Sequence, residues 1–308
     1  MLAAGIGFGC MSPASKIVLS SGMVNAISLT TFRIVGTAIC FWIASFFMKR
    51  EHVPHQDLMY LFFAALFGIV LNQGTFIFGV SMTSPIDATI VATSSPIITM
   101  IISAMYLKEP ITGKKILGIF VGAIGALMLI LGGHQAATGN SNLWGNLLCL
   151  LAQCSFSTYI VVFKGLISRY TPVTLMKWMF TYAAVCTIPF SYSSVAGIDF
   201  SQLSAVVYGN IAVVVLVGTF FAYMMIPIGQ KILRPTVATM YNYVQPIVAS
   251  IITVIVGLDT FGFMKTLAII LIFLGVYIVT KSKSRAQMEA YKMQQKAKEG
   301  LKGSEIGR

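Results

Sequence analysis

Only nine of the 308 residues are aspartate or glutamate, and none of the nine falls in the middle of an apolar run. A carboxylate proton relay buried in hydrocarbon, a device of pumps and transporters, is therefore not visible. Charged residues of both signs make up 10% of the chain, against roughly a quarter in ordinary soluble domains. No GxxxxGK[ST] loop occurs, so nothing reads as an ATP site, and HExxH and GxSxG are both missing. Histidine is limited to His52, His55 and His134, all in connectors. The five cysteines (Cys10, Cys40, Cys149, Cys154 and Cys186) fall inside apolar segments without metal-type spacing and read as inert buried thiols. No metal, cofactor or catalytic constellation is expected, and the chain does not read as an enzyme.

What is abundant is apolar surface. Hydrophobic residues make up 57% of the chain, in runs long enough to cross a bilayer as helices. We count ten such spans: about 2–20, 26–48, 58–80, 86–106, 115–132, 143–164, 173–194, 205–229, 235–256 and 262–281. No cleavable signal peptide is expected, because the first apolar run starts at Met1 without a basic leader. The formal charge of +12 does not point to nucleic acid. Eight of the 21 basic residues lie from Lys281 onward, and most of the rest sit in alternate short connectors. One set of connectors holds Lys49, Arg50, Lys108, Lys114, Lys115, Arg169, Lys231 and Arg234. The other set is almost free of cations, with Lys265 the one exception. The positive-inside rule then places both termini in the cytoplasm, and the chain is expected to be a multi-pass protein of the cell inner (plasma) membrane.

The polar stretch 133–142 divides the spans into five and five. Adding 150 to a residue number aligns the late segments without a gap. Pro85 meets Pro235, Ala88 meets Ala238, Thr89 meets Thr239, Pro96 meets Pro246, and seven of the 25 positions from 85 to 109 are identical. A repeat with an odd number of spans re-enters the membrane from the opposite side. The sequence therefore predicts an all-α integral membrane protein, with ten transmembrane helices in two inverted five-helix repeats. The predicted divisions are a first repeat at 1–132, an extracytoplasmic linker at 133–142, a second repeat at 143–281 and a basic cytoplasmic tail at 282–308. That tail reads either as a disordered solubilising segment or as a frayed helix touching anionic lipid.

Several local features carry a family resemblance. Each half holds "PxxAT" and a central Pro-Ile; Arg33 stands in the second span, "LNQGTFIFGV" in the third, and "LKEPIT" precedes "GIFVGAIGALML" in the fifth. In combination they resemble the drug/metabolite transporter (DMT) superfamily, EamA type, over essentially the whole folded chain. The resemblance implies a secondary transporter of small polar or amphipathic metabolites such as amino-acid-like compounds, acting outward by alternating access. The alternative reading is a structural or signalling polytopic membrane subunit without transport activity.

Proline inside a helix removes a hydrogen bond and clashes with the preceding turn. Pro96 and Pro246 are therefore read as structural helix breaks about halfway through the fourth and ninth spans. Backbone groups freed there need protein or a wet cavity around them. Thr93, Ser94 and Ser95 beside the first break, and Tyr241, Asn242, Tyr243 and Gln245 beside the second, are expected to line a substrate cavity; hydroxyls bonding their own backbone are the competing account. Asn72 and Gln73 form a costly amide pair in the third span. Tyr159 stands in a polar run with Gln153, Ser155, Ser157 and Thr158, and Tyr223 lies in the eighth span. Arg33, about two turns into the second span, needs a partner, which could be a substrate carboxylate or neighbouring carbonyls. The expected partners are a small-molecule substrate and the lipid bilayer, with no nucleic acid; oligomeric state stays open.

Overall fold

The computed structural model describes residues 1–83, 85–132, 142–255, 262–282 and 288. The predicted linker up to residue 141 and nearly all of the predicted tail lie outside the described residues, as do the side chains of Pro85, Asp87 and Thr89. Every regular element is helical, with no strand among the described residues. In chain order they are α1 (Leu2–Ser20), α2 (Ala26–Phe46), α3 (His55–Ala65), α4 (Asn72–Met82), α5 (Pro85–Ala92), α6 (Ser95–Tyr106), α7 (Gly113–Gly132) and α8 (Leu143–Val162). Then follow α9 (Lys164–Arg169), α10 (Pro172–Ala196), α11 (Ala205–Val215), α12 (Ala222–Ile232), α13 (Pro235–Met240), α14 (Val244–Ile255) and α15 (Phe263–Thr280).

Among the described residues, seven helical rods are long and apolar enough to span a membrane: α1, α2, the continuous rod His55–Met82, α8, α10, the rod Ala205–Ile232, and α15; a shorter apolar helix covers Ile90–Tyr106. Large apolar side chains such as Phe46, Phe47 and Phe190 point outward, as a lipid solvent allows. The chain is an all-α membrane protein.

Helix starts follow local chemistry. The side chains of Asn25, Thr171 and Ser204 accept from the backbone N–H of Ser28, Thr174 and Val207, satisfying N-terminal donors that have no intrahelical partner. Two rods carry a feature without a sequence expectation: one π-helical turn each, at Leu66–Leu71 between α3 and α4 and at Leu216–Phe221 between α11 and α12. The two turns lie 150 residues apart. In the second, the Thr219 hydroxyl donates to the Val214 carbonyl at 2.8 Å, tying down an oxygen of the widened ladder.

Three apolar clusters hold the rods together. The largest joins α2, α3 and α10, with Phe41 stacked on Phe180 at 5.8 Å and tilted on Phe220 at 4.7 Å. A second joins α6, α7, α13 and α15, and a third joins α1, α2 and α11. Where α7 meets α15 the backbones touch: a Cβ at Gly118 would lie 2.7 Å from the Gly275 carbonyl oxygen, and one at Gly125 would lie 2.6 Å from that of Ala268. Only glycine permits this approach.

On the face that carries the basic connectors, the α2–α3 connector is fastened to the α9–α10 connector. Glu51 accepts from the Thr171 N–H at 3.1 and 3.2 Å and from its hydroxyl at 2.8 Å. Asp57 accepts both the Tyr170 hydroxyl and the Arg169 guanidinium. Burial and the Asp57 carboxylate raise the Tyr170 phenol to about 12, so it stays a donor. Lys115, fully buried at the start of α7, pairs with Glu109 at 2.9 Å. Lys265, the cation that stood apart in the basic-poor connectors, is buried too, 8% exposed.

Candidate functional site

The fourth predicted span is broken as Pro96 requires. α5 stops at Ala92 and α6 restarts at Ser95. Across the break, Ile97 N–H donates to the Ser94 carbonyl, so the Thr93 carbonyl leaves the helical ladder. It accepts instead from the Tyr243 hydroxyl at 2.8 Å. The ninth span breaks one turn before Pro246, where Tyr241–Tyr243 tightens to a 3₁₀ turn between α13 and α14. The 3₁₀ turn swings Asn242 and Tyr243 toward the α5–α6 break.

Between these breaks lies a cavity of about 270 Å³. Its polar lining comes from Arg33, Asn72, Gln73, Thr93, Gln153, Tyr223, Asn242, Tyr243 and Gln245, with Pro246 in the wall. Phe8 and Met11 of α1, Phe76 and Ile77 of α4, Ala126 and Ile130 of α7 and Phe156 of α8 supply the apolar surface. This mixture of an apolar wall with a few convergent polar groups is that of a small-molecule pocket.

Among the described residues of the lining, Arg33 is the only cation. Its Nε donates to the Thr219 hydroxyl at 3.2 Å, inside the second π turn, and among the described residues no carboxylate pairs with it. Gln73 is 7% exposed; its Nε2 donates to the Tyr223 hydroxyl at 3.1 Å while its Oε1 has no partner among the described residues. Tyr223 is held between Phe8 and Phe180, edge-on to both at 5.6 and 5.0 Å. Asn72 lines the cavity but also spends its Nδ2 on the Ala152 carbonyl of α8 at 2.9 Å, the interhelical use of an amide. The Gln153, Asn242 and Gln245 side chains make no hydrogen bond among the described residues, which leaves three amides free to donate and accept.

Five of the sequence-predicted residues stand elsewhere. The Ser94 hydroxyl, in the break, donates to the Val91 carbonyl three residues back in α5, the backbone-bonded state weighed for these hydroxyls. Ser95 is fully buried, and its carbonyl accepts from Ser157 at 3.4 Å. Pro96 is buried at the start of α6. Tyr159 is buried against the first π turn, its ring 2.8 Å from where a Gly68 Cβ would sit, and its hydroxyl has no partner. Tyr241 lines a narrower space behind Asn242. In the other direction, Gln153 was read only as a neighbour of Tyr159, yet it faces the cavity. The two are six residues apart, about one and two-thirds turns of α8, so helical spacing alone sets them about 120° apart, on different faces.

The described residues contain no group of three or more His, Cys, Asp or Glu that could hold a metal. The EamA-like transporter family matches residues 1–131 and 143–281. An uncharacterized transporter of Bacillus subtilis, YyaM, is 23% identical over 87% of this chain and 84% of its own length. An uncharacterized transporter of Archaeoglobus fulgidus is 22% identical over 87% of this chain and 94% of its own. The Arabidopsis thaliana protein WALLS ARE THIN 1 is 24% identical over the full chain and 89% of its own. A crystal structure superposes with a TM-score of 0.71 at 17% identity, over 91% of this chain and 98% of that one, which shows a shared fold.

Proposed function

Because the chain belongs to the EamA-like transporter family, we propose that the cavity between the two helix breaks is a substrate site, and that small polar or amphipathic metabolites, amino-acid-like compounds among them, leave the cell through it by alternating access. The observation that carries this reading is the lining itself. Arg33 has no carboxylate partner and several amides have free hydrogen-bonding capacity, all within one apolar-walled cavity. A substrate carboxylate would satisfy the guanidinium, and its remaining polar groups would meet Gln73, Asn242 and Gln245. Outward direction rests on the family resemblance. The cytoplasmic location of both termini rests on the cation distribution.

Two inverted five-helix halves account for the contacts around the site. The bonds Gln73–Tyr223 and Tyr243–Thr93 both join residues 150 apart. Residues so related touch only where a two-fold axis passes between them. The α7–α15 contact has the same character: Gly118 meets Gly275 and Gly125 meets Ala268, a reciprocal and antiparallel pairing under the 150-residue register. An axis lying across the helices, in the plane of the membrane, would give such antiparallel partners, which supports the inverted-repeat reading.

The test is a thermal-shift screen of the purified chain against a panel of amino acids and small carboxylates, followed by efflux from proteoliposomes. A compound that stabilises wild type but not Arg33→Gln, and that is transported, supports the reading. Inertness across the panel, with no flux, favours a structural or signalling subunit.

A further inference from the structure

The cavity has a closed continuation. A narrow space of about 10 Å³ shares Phe8, Phe156 and Asn242 with it and is pinched by Ile160 of α8, Ile226 of α12 and Ala238 of α13. That volume is at the limit for seating one water. Its direction follows from the helices. Ile160 lies two residues before the end of α8, Ala238 three residues into α13, and Ile226 near the middle of α12, with Lys231 just over one turn beyond it. All three ends adjoin the connectors that hold Lys164, Arg169, Lys231 and Arg234. The main cavity, by contrast, reaches Ile130, two residues from the opposite end of α7.

Gln230 stands four residues beyond Ile226, one turn further toward the basic-connector face and on the same side of α12. It is 3% exposed, and among the described residues neither its Nε2 nor its Oε1 has a hydrogen-bond partner. A buried amide with both ends unmet is costly, and an apolar side chain of similar size would suit a permanent seal better. A polar group held at that cost has a use in another arrangement of the same helices. We propose that the Ile160–Ile226–Ala238 seam is the closed half of the translocation path, and that Gln230 is a hydrogen-bonding station for a small polar solute on that half once the seam opens. The inference rests on the reading of the main cavity as a transport site.

The test uses the full chain without its native cysteines, carrying single cysteines at Ile77→Cys in the main cavity, Gln230→Cys in the seam and Ile272→Cys in the fully buried α7–α15 core. An impermeant maleimide is applied to either side of sealed vesicles. Ile77→Cys should label from the basic-poor side. Gln230→Cys should label from the basic side only, at least about tenfold faster than Ile272→Cys, because transient opening exposes the seam and not the core. Gln230→Leu, in the native background, should melt above wild type. Labelling at Ile77→Cys with Gln230→Cys protected from both sides would leave the cavity reading standing and make the seam permanent packing. A lower melting temperature for Gln230→Leu would mean that the amide is satisfied in the closed state, which also overturns the proposal. Protection of Ile77→Cys from the basic-poor side would remove the transport cavity, and the proposal with it.

Discussion

Two tyrosines offer a paired experiment with opposite expected signs. Tyr243 is 2% exposed, and its hydroxyl donates at 2.8 Å to the Thr93 carbonyl, which the Pro96 break released from the helix. Tyr243→Phe removes the donor and leaves that carbonyl without a partner. An intramolecular hydrogen bond is worth about 0.5–1.5 kcal/mol net, and a stranded buried acceptor costs about 1–3 kcal/mol. Tyr159 is 1% exposed and equally buried, but its hydroxyl has no partner. Tyr159→Phe removes an unmet polar group while the ring that fills the space beside Gly68 stays. The first variant should therefore melt a few degrees below wild type, and the second at or above it. The assay is thermal unfolding of detergent-purified protein, followed by fluorescence, with size-exclusion profiles as the check on folding. Under the transport reading, Tyr243→Phe should also reduce flux more than its stability loss explains, because the bond ties the two breaks together at the cavity floor. Equal melting of wild type and Tyr243→Phe would mean that the Thr93 carbonyl is served equally well by solvent. The account of the Pro96 break as a protein-satisfied gap would then fail.

Gly275→Ala should destabilise by about 1–3 kcal/mol, because its Cβ would lie 2.5 Å from the Gly122 nitrogen and 2.6 Å from the Gly118 carbonyl oxygen; Gly74→Ala, with open space at its Cβ, should be neutral or stabilising. Lys115→Met should cost about 3–5 kcal/mol by stranding the Glu109 carboxylate, and adding Glu109→Gln should restore much of the loss in a melting assay. Burial pushes the Glu51 carboxyl up, but the Thr174 and Thr171 donors and nearby Lys231 hold it net below its ordinary value of 4.5. A carboxyl depressed in the folded state stabilises above its unfolded pKa, and the contribution is lost as pH falls through the folded value. The melting temperature should thus be insensitive to this group near neutrality and fall below pH 4.5, with the acid-side slope reduced in Glu51→Gln.

The helical rods were legible because apolar length is a direct signal, and the Pro96 break because proline cannot donate. The two π turns were not. "LFGIVL" and "LVGTFF" look like ordinary apolar helix, and the extra residue is accommodated only by what packs on it, the Tyr159 ring beside Gly68 and the Met11 side chain beside Gly218. Nor did the sequence separate Thr93, which lines the cavity, from Ser94 beside it, since both hydroxyls donate to a carbonyl three residues back. Lys265 was misleading for a simpler reason. Counted as a loop cation it is an exception to the charge bias, yet it is buried, and it falls 150 residues after Lys115, which is buried as well. Six residues before each stands an acid, Glu109 and Asp259, the second outside the described residues.

Under the inverted-repeat reading, identity between the halves marks the helix breaks at Pro96 and Pro246 but not the polar side chains beside them. Positions shared by the halves, such as Pro85 with Pro235 or Ala88 with Ala238, mark what both copies need to fold. The cavity is lined where the copies differ. In the 150-residue register Arg33 corresponds to Ala183, Asn72 to Ala222, Asn242 to Ala92, Gln153 to Ala3 and Gln245 to Ser95. A two-fold axis at the site, as the inverted-repeat reading implies, would favour such differences. Identical side chains meeting across it would set like against like, and a cavity lined by identical sets would hold two guanidinium groups rather than one. A hydrogen bond across the axis pairs one donor with one acceptor, so it is most readily built once the two copies differ there, as Gln73 differs from Tyr223 and Thr93 from Tyr243. A substrate without two-fold symmetry poses the same demand. Under the inverted-repeat reading, then, the positions to inspect for binding are aligned pairs near the helix breaks whose members differ in polarity, size or hydrogen-bonding role.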